Sequence, residues 1–568
     1  MGCRSKVELT VCQIAILISL CIIAVPLAVF GWFRGIDPLE YNISSSSSSS
    51  SSSSKHSNNV MPVVRSHLRP MPYLDDIGSS PLLNNPHLYV QWTFLQMNDV
   101  YELKPLGGGK KGGMARVATI RKLLLQENPN TITVIAGDIV SPSALGNSIV
   151  NGSMLNGKQM IATLNVLGLD YATLGNHEFD LKQESLRRRL NESRFQWIAS
   201  NVYERNTTKP FHNVLPYKIL TISNVNILLI GLTIDDNFGP LSSGQYVSIT
   251  SQQTLPVFTE QYIKHLRNDL HLKWDILICL THLNIQNDID IIEHNPSIHV
   301  LLGGHEHENY YLKRGSNYAP IYKADGNALS VFIHRFAYQP KTKQLLIFSR
   351  LTQVSEHFPD EPKTAEIANY FYEAGLQAYR EQGFSPGRIV CTLPPGFTFD
   401  GRSAIIRSQQ SHLTRALCNA MMDATNTAIC VLNSGAIRID DQLTGTITQY
   451  DILRCLPFAA SLITIRINGS NLVKILDRGL MNINTGMYIS YSGLEYDAIT
   501  TKWYLQSNRQ LVDDENLQLT IVSIPYFFHH TDLKHSATIL NTHTTITRAF
   551  IEYLERTYQK LNHGQLPS

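Results

Sequence analysis

Six short apolar runs recur between residues 89 and 308, and each closes on a turn that carries carboxylate, amide or imidazole side chains. They read YVQWTFLQMND, ITVIAGD, DYATLGNHEFD, VNILLIGLTIDD, DILICLTHL and IHVLLGGHEHE. Runs of this length bounded by turn signals predict buried strands. Helical spacing in ARVATIRKLLLQEN and LPVFTEQYIKHLRNDL, which lie between them, makes the region α/β with both sheet faces covered. Asp99, Asp138, Asn176, His177, His282, His305 and His307 all fall directly after a predicted strand. In open α/β sheets the carboxyl ends of strands are where ligands bind.

Taken singly, these residues have ordinary explanations. Asp99 could cap a turn, Gly137-Asp138 is a common turn dipeptide, and a lone His282 is more often a satisfied core histidine than a ligand. GNHEFD at 175–180 and GGHEHE at 303–308 resist that reading, because each sets donors and glycines together on a sharp strand-to-loop turn. Five such strand ends in one region suit two divalent cations about 3.5–4 Å apart, bridged by a carboxylate, that activate water and neutralise a phosphoryl group. Carboxylates, imidazoles and an amide oxygen fit Zn, Mn or Fe, and the region is too poor in cysteine for a thiolate site. Asp138 is the candidate bridge.

Composition narrows the classes further. The 568 residues carry 48 Lys+Arg against 46 Asp+Glu, a net charge of +2 that argues against a dedicated nucleic-acid binder. A hydrophobic content of 43% supports at least two globular domains. Of eight cysteines, Cys3, Cys12 and Cys21 lie at the N-terminus; the odd remainder (Cys279, Cys391, Cys418, Cys430 and Cys455) rules out a disulfide-built scaffold and leaves at least one thiol free or intermolecular.

Residues 11–33 contain no charge, and 23 residues at about 1.5 Å each cross a hydrocarbon core about 30 Å thick. The expectation is an uncleaved transmembrane signal anchor, preceded by a short cytosolic tail at 1–10, with the globular mass extracellular or lumenal. A secreted protein whose signal is cleaved is the alternative. Residues 34–86, with eleven consecutive serines at 44–54 and several prolines, read as a stalk that cannot fold. Sequons at Asn42, Asn151, Asn191, Asn206 and Asn468 agree with a non-cytosolic route.

The strand-end motifs resemble those of the calcineurin-like metallophosphoesterases and, within them, the 5′-nucleotidase and UDP-sugar hydrolase family. MND (97–99), AGD (136–138), GNHEFD, LTHL (280–283) and GGHEH (303–307) are similar to that family's five motifs in order. The resemblance implies a four-layer α/β/β/α sandwich at 87–355, a linker helix at 356–387 and a mixed α+β substrate-binding domain at 388–562. It also implies that Asp99, Asp138 and His307 serve one metal, that Asp138, Asn176, His282 and His305 serve the other, and that His177 with Asp180 stabilises the transition state or leaving group. Asn433 and Arg438 in NSGAIR, with Arg407, would grip the phosphate ester, and Phe527 would offer a ring to the base. One position departs from the family pattern: Tyr101 stands where a histidine is usual, an NDVYE variant shared by a subgroup. The tyrosine could ligate a metal, hydrogen-bond a bound water, or leave the first site one ligand short. Leu462 also stands where a first aromatic ring would lie.

The implied activity is metal-dependent hydrolysis of nucleoside 5′-monophosphates by a dinuclear-metal-activated hydroxide. Two alternatives stand beside it: a phosphodiesterase acting on nucleotide sugars or cyclic nucleotides, and a catalytically silent, membrane-tethered binding protein.

Overall fold

The computed structural model describes residues 72, 74–235 and 246–559. The expected tail at 1–10, the span at 11–33 and the stalk up to residue 71 lie outside them. Among the described residues no helix is long and apolar enough to cross a membrane.

In chain order the first domain runs through β1 (Val90–Met97), α1 (Met114–Glu127), β2 (Thr131–Ala136), α2 (Lys158–Leu167), β3 (Tyr171–Thr173), β4 (Gln196–Trp197), β5 (Lys218–Ile222) and β6 (Val225–Thr233). It continues through α3 (Leu255–Asn268), β7 (Ile276–His282), α4 (Ile285–His294), β8 (Val300–Gly303), β9 (Tyr310–Arg314) and β10 (Ala319–Lys323), and ends with β11 (Ser330–Gln339), β12 (Gln344–Gln353) and α5 (Pro362–Glu381). Two six-stranded sheets result, ordered β12-β11-β1-β2-β3-β4 and β9-β10-β8-β7-β6-β5. Strands β1 to β4 are mutually parallel, as are β6, β7, β8 and β10, so the carboxyl ends of each group share one edge.

Alternation along the strands sets the layers. Trp92, Phe94, Val134 and Ala136 face the second sheet, where Ile227, Leu229, Ile278, Leu280 and Val300 meet them. Leu95, Met97 and Ile135 point the other way, onto Met114, Val117 and Leu124 of α1 and Met160 and Leu164 of α2. Helix α4 packs behind β8 to β10 and against α3, which completes an α/β/β/α sandwich. Each sheet therefore has one face covered by the other sheet rather than by helices on both sides, because both faces of the strands are apolar. The helix expected at 356–387 is α5: Ala368 and Phe371 lie in the same core as α1 and α2, while Tyr379 packs against Leu453 of the second domain.

The second domain comprises α6 (His412–Thr425), β13 (Cys430–Asn433), β14 (Ser461–Asn468), α7 (Gly469–Met481), β15 (Ile489–Ser492), β16 (Gln518–Ser523), α8 (Pro525–His530), β17 (Ala537–Thr545) and α9 (Ile546–Gln559). Its sheet, ordered β15-β13-β16-β14-β17, is mixed, since only β13 and β16 pair in parallel. A capping box between Ser411 and Thr414 starts α6, satisfying N–H groups that the first helical turn leaves unpaired. Leu417, Val431, Ile465, Leu476, Ile521 and Phe550 share one core. Cys279, Cys391, Cys418, Cys430 and Cys455 are all buried and unpaired, so neither domain leans on a disulfide.

Between the two sheets Trp92 stacks on Phe336 at 5.2 Å, and Phe94 meets the same ring edge-on at 5.7 Å. Phe94→Ala would open a cavity there and should lower unfolding free energy by about 3–5 kcal/mol. Urea denaturation of the variant checks this, and a loss below about 1 kcal/mol would show that the sheets do not depend on that ring.

Candidate active site

The shared edge of the two sheets collects the strand-end residues. Asp99 and Asp138 follow β1 and β2, which pair in parallel with Met97 beside Ile135, and both side chains are buried. Each takes left-handed backbone, φ 53° and 56°, as does His307 at 63°; such conformations in non-glycine residues concentrate at functional sites. Two glycines let the sheets approach. A Cβ on Gly137 would sit 2.4 Å from Nδ1 of His282, and one on Gly304 would sit 2.3 Å from the carbonyl of Ala136.

Asp138 is the most connected group. Its Oδ1 accepts the His177 N–H at 2.9 Å, and its Oδ2 accepts the Tyr101 hydroxyl at 2.9 Å and lies 3.3 Å from Nε2 of His282. Asp99 Oδ2 accepts the His305 N–H and an Asn98 amide hydrogen, both at 2.8 Å. Asp99 Oδ1 is buried without a hydrogen-bond partner, 3.2 Å from Nε2 of His307. Donor atoms of Asp99, Asp138 and His307 lie within 4.8 Å of one another. His282, at the end of β7, sets Nδ1 against the carbonyl of Ala136 at 2.7 Å and turns Nε2 toward Asn176 Oδ1 at 3.1 Å. The His305 ring stands edge-on to His282, with centroids 5.2 Å apart. On the short helical turn His177–Asp180, Nδ1 of His177 and Oδ2 of Asp180 are 2.7 Å apart.

Burial and charge oppose each other throughout. Burial pushes the Asp138 carboxyl up, but His282 and His177 override it and hold it far below the usual range. Burial alone would lower His282 and His307, yet the carboxylates raise them to about 10 and about 9: Asp138 and Asp99 for the first, Asp440 and Asp99 for the second. His305 moves the other way, well down, under burial and the positive charges of His282, Lys323 and Arg407. A pocket that draws protons onto its imidazoles also attracts a divalent ion, which would displace them on ligation. The unpartnered oxygen of Asp99 and the convergent carboxylate, imidazole and amide donors fit such an ion.

From the second domain, Arg438 donates from Nη2 to the Tyr101 hydroxyl at 3.1 Å, with its guanidinium 5.4 Å from the ring centroid. Burial and the nearby Asp138 carboxylate push the Tyr101 phenol well up, so it stays protonated. Arg407 is buried, and its backbone carbonyl accepts the N–H of Asn484 at 2.7 Å. The Asn433 amide donates to the Gly486 carbonyl at 3.1 Å, while its Oδ1 is buried without a partner. Phe527 does not join this group. Expected to present a ring to substrate, it is 1% exposed within the core of the second domain, because Phe527 and Phe528 form the inward face of α8. Leu462 is likewise buried in that core.

Three supporting residues were not singled out from the sequence. Glu178 accepts the N–H groups of Asp138, Ile139, Val140 and Gly175, tying the second motif to the third. Lys323 donates to the carbonyls of Leu283 and Gly304 at 2.6 and 2.8 Å and pairs with Asp288 and Glu306, joining the fourth motif to the fifth. Asp440 contacts Nδ1 of His307 from the second domain. For Glu178 the signal was its place inside GNHEFD; for Lys323 it was a lone charge closing an apolar strand.

A double-sheet sandwich with this donor set at its shared edge is the arrangement of a phosphoesterase, a hydrolase of ester bonds, of the class whose members imply divalent metal ions. Known proteins agree. The model for calcineurin-like phosphoesterase matches residues 93–309, and that for the 5′-nucleotidase C-terminal domain matches residues 392–519. The 5′-nucleotidase of Vibrio parahaemolyticus is 21% identical over 450 residues, covering 71% of this chain and 78% of that protein. The human 5′-nucleotidase is 23% identical over 420 residues, covering 67% and 69%. Among solved structures, the 5′-nucleotidase precursor of Thermus thermophilus superposes with a TM-score of 0.70 at 19% identity, covering 82% of this chain and 97% of that one. The sulfate thiohydrolase SoxB of the same species superposes at 0.65 with 14% identity, covering 85% and 96%, so the two share the fold. Both domains of the chain are thus similar to those of 5′-nucleotidases.

Tyr101 separates two kinds of role. Tyr101→His should raise affinity for Mn²⁺ or Zn²⁺ if the side chain at this position reaches a metal. Competition with a chromophoric chelator reads the change, and unchanged affinity would leave the tyrosine a hydrogen-bonding contact of Asp138, His307 and Arg438.

Proposed function

We propose that the chain hydrolyses phosphomonoesters, with nucleoside 5′-monophosphates as substrate class and nucleoside and phosphate as products. The observation that carries this reading is the convergence of Asp99, Asp138 and His307 within 4.8 Å, with Arg438 reaching the adjoining Tyr101 from the second domain. We assign one cation to Asp99, Asp138 and His307 and a second to Asp138, Asn176, His282 and His305, with Asp138 shared. Divalent ions there would supply Lewis acidity to a phosphoryl oxygen and lower the pKa of a water. The donors suit Zn, Mn or Fe.

The remaining work falls to side chains. Arg438 presents a planar, permanently charged fork suited to two phosphate oxygens, and Arg407 adds a second positive charge toward His305. Asn433 offers its unpartnered Oδ1 to a substrate hydroxyl. His177, oriented by Asp180, can hold a proton at Nε2 for the departing oxygen when it is an imidazolium. Neither Leu462 nor the buried Phe527 offers a ring for stacking, which forfeits about 0.5–1.5 kcal/mol per aromatic pair beyond area burial. Selection therefore rests on the phosphate more than on the base. We place both domains outside the cytosol, tethered through the uncharged 11–33 stretch, a reading supported by its length and by the downstream sequons.

Supplied with Mn, Zn, Co or Fe, the full chain should release phosphate from at least one nucleoside monophosphate, and Asp138→Ala should cut kcat/KM by about 10²-fold or more. A panel of monophosphates, nucleotide sugars and cyclic nucleotides decides the substrate. Turnover of the sugars or cyclic compounds alone would reassign it, and no turnover with any of them would leave a silent binder.

A further inference from the structure

One buried carboxylate lies outside the two-metal reading of the site. Asp440 belongs to the second domain, two residues past Arg438, and its side chain is 8% exposed. Its Oδ2 meets Nδ1 of His307 in the first domain. Its Oδ1 accepts the backbone N–H and the hydroxyl of Ser403 at 3.1 and 2.6 Å, which stops the carboxylate from swinging away.

His307 is thereby held at both ring nitrogens. With the Nδ1 proton donated to Asp440, Nε2 faces Asp99 Oδ1 and the Tyr101 hydroxyl, each 3.2 Å away. Ligation needs that tautomer, and a carboxylate behind a ligating imidazole fixes its orientation and raises its basicity. Two further contacts cross between the domains close by. Arg438 reaches Tyr101 at 3.1 Å, and the buried Arg454 donates from Nε to Glu102 Oε1 at 3.0 Å. The loop that carries Asp99 and the imidazole of His307 thus both lean on the second domain.

We propose that Asp440 is a positioning residue for the first metal site: by accepting the Nδ1 proton of His307 across the domain boundary it presents Nε2 to the cation, so that cation binding and docking of the second domain stabilise one another. This inference rests on the two-metal reading. Because the coupling is a free energy between two events, it acts equally in both directions.

The test is a Mn²⁺ titration of the full chain, with free Mn²⁺ followed by electron paramagnetic resonance and hydrogen exchange measured across residues 436–442. Wild type should bind two ions, and saturation should slow exchange in that segment. Asp440→Ala should weaken one of the two sites by about 10- to 100-fold, leave the other unchanged and abolish the slowing. Asp440→Asn, which keeps an acceptor oxygen but no charge, should fall between them and serves as the measurement if the alanine variant does not fold. Two wild-type affinities in Asp440→Ala would overturn the proposal, as would equal weakening of both sites together with a lowered melting temperature in the absence of Mn²⁺. If wild type binds no pair of ions, or Asp138→Ala binds them as wild type does, the two-metal reading fails and takes this inference with it.

Discussion

Asp99 and Asp138 lie side by side at the ends of two adjacent parallel strands, both out of contact with solvent, and like charges in that position repel through a medium that screens them poorly. Opposite unit charges 4 Å apart are worth about 4 kcal/mol at an effective dielectric near 20, so nearby positive groups decide whether the pair stays ionised. The second sheet contributes His282 at the end of β7 and His305 and His307 just past β8, and the third motif adds the His177 N–H. This requirement explains why the sheets meet at this edge, where Gly137 and Gly304 leave room for an imidazole and a carbonyl. It also explains the supports behind the ligands. Glu178 and Lys323 each bind backbone groups of two motifs, so the strand ends move as a unit and not as five independent loops.

The strand ends were legible in the sequence because a buried parallel strand reads as an unbroken apolar run, and a polar residue just past it must be either a turn or a ligand. The roles of Asp440, Lys323 and Phe527 could not be read that way. In RIDD two aspartates follow one another, and only the left-handed backbone at Asp440, φ 45°, turns that one toward His307. Lys323 finds Asp288 and Glu306 through folding of distant segments, which no local pattern encodes. Phe527 sits in PYFFHH, a helix of 6 residues with aromatic rings on several sides, so its phase depends on what the helix packs against. The mixed core of the second domain claims that ring before a ligand can. For α5, helical spacing gave the element but not its partners, since an apolar stripe does not say that Phe371 enters the first core while Tyr379 meets Leu453 of the second domain.

Tyr101 shows how a departure from a family pattern can be absorbed. A phenol whose proton is held by burial and by Asp138 adds no negative charge to the first site, and its hydroxyl is already shared between Asp138, His307 and Arg438. To its bonds inside the first domain the tyrosine adds a contact with the second, through Arg438. His307 is likewise held from outside its own domain, by Asp440 at Nδ1. The substitution at 101 and the carboxylate at 440 therefore act in the same direction, each tying the strand-end cluster of the first domain to the second.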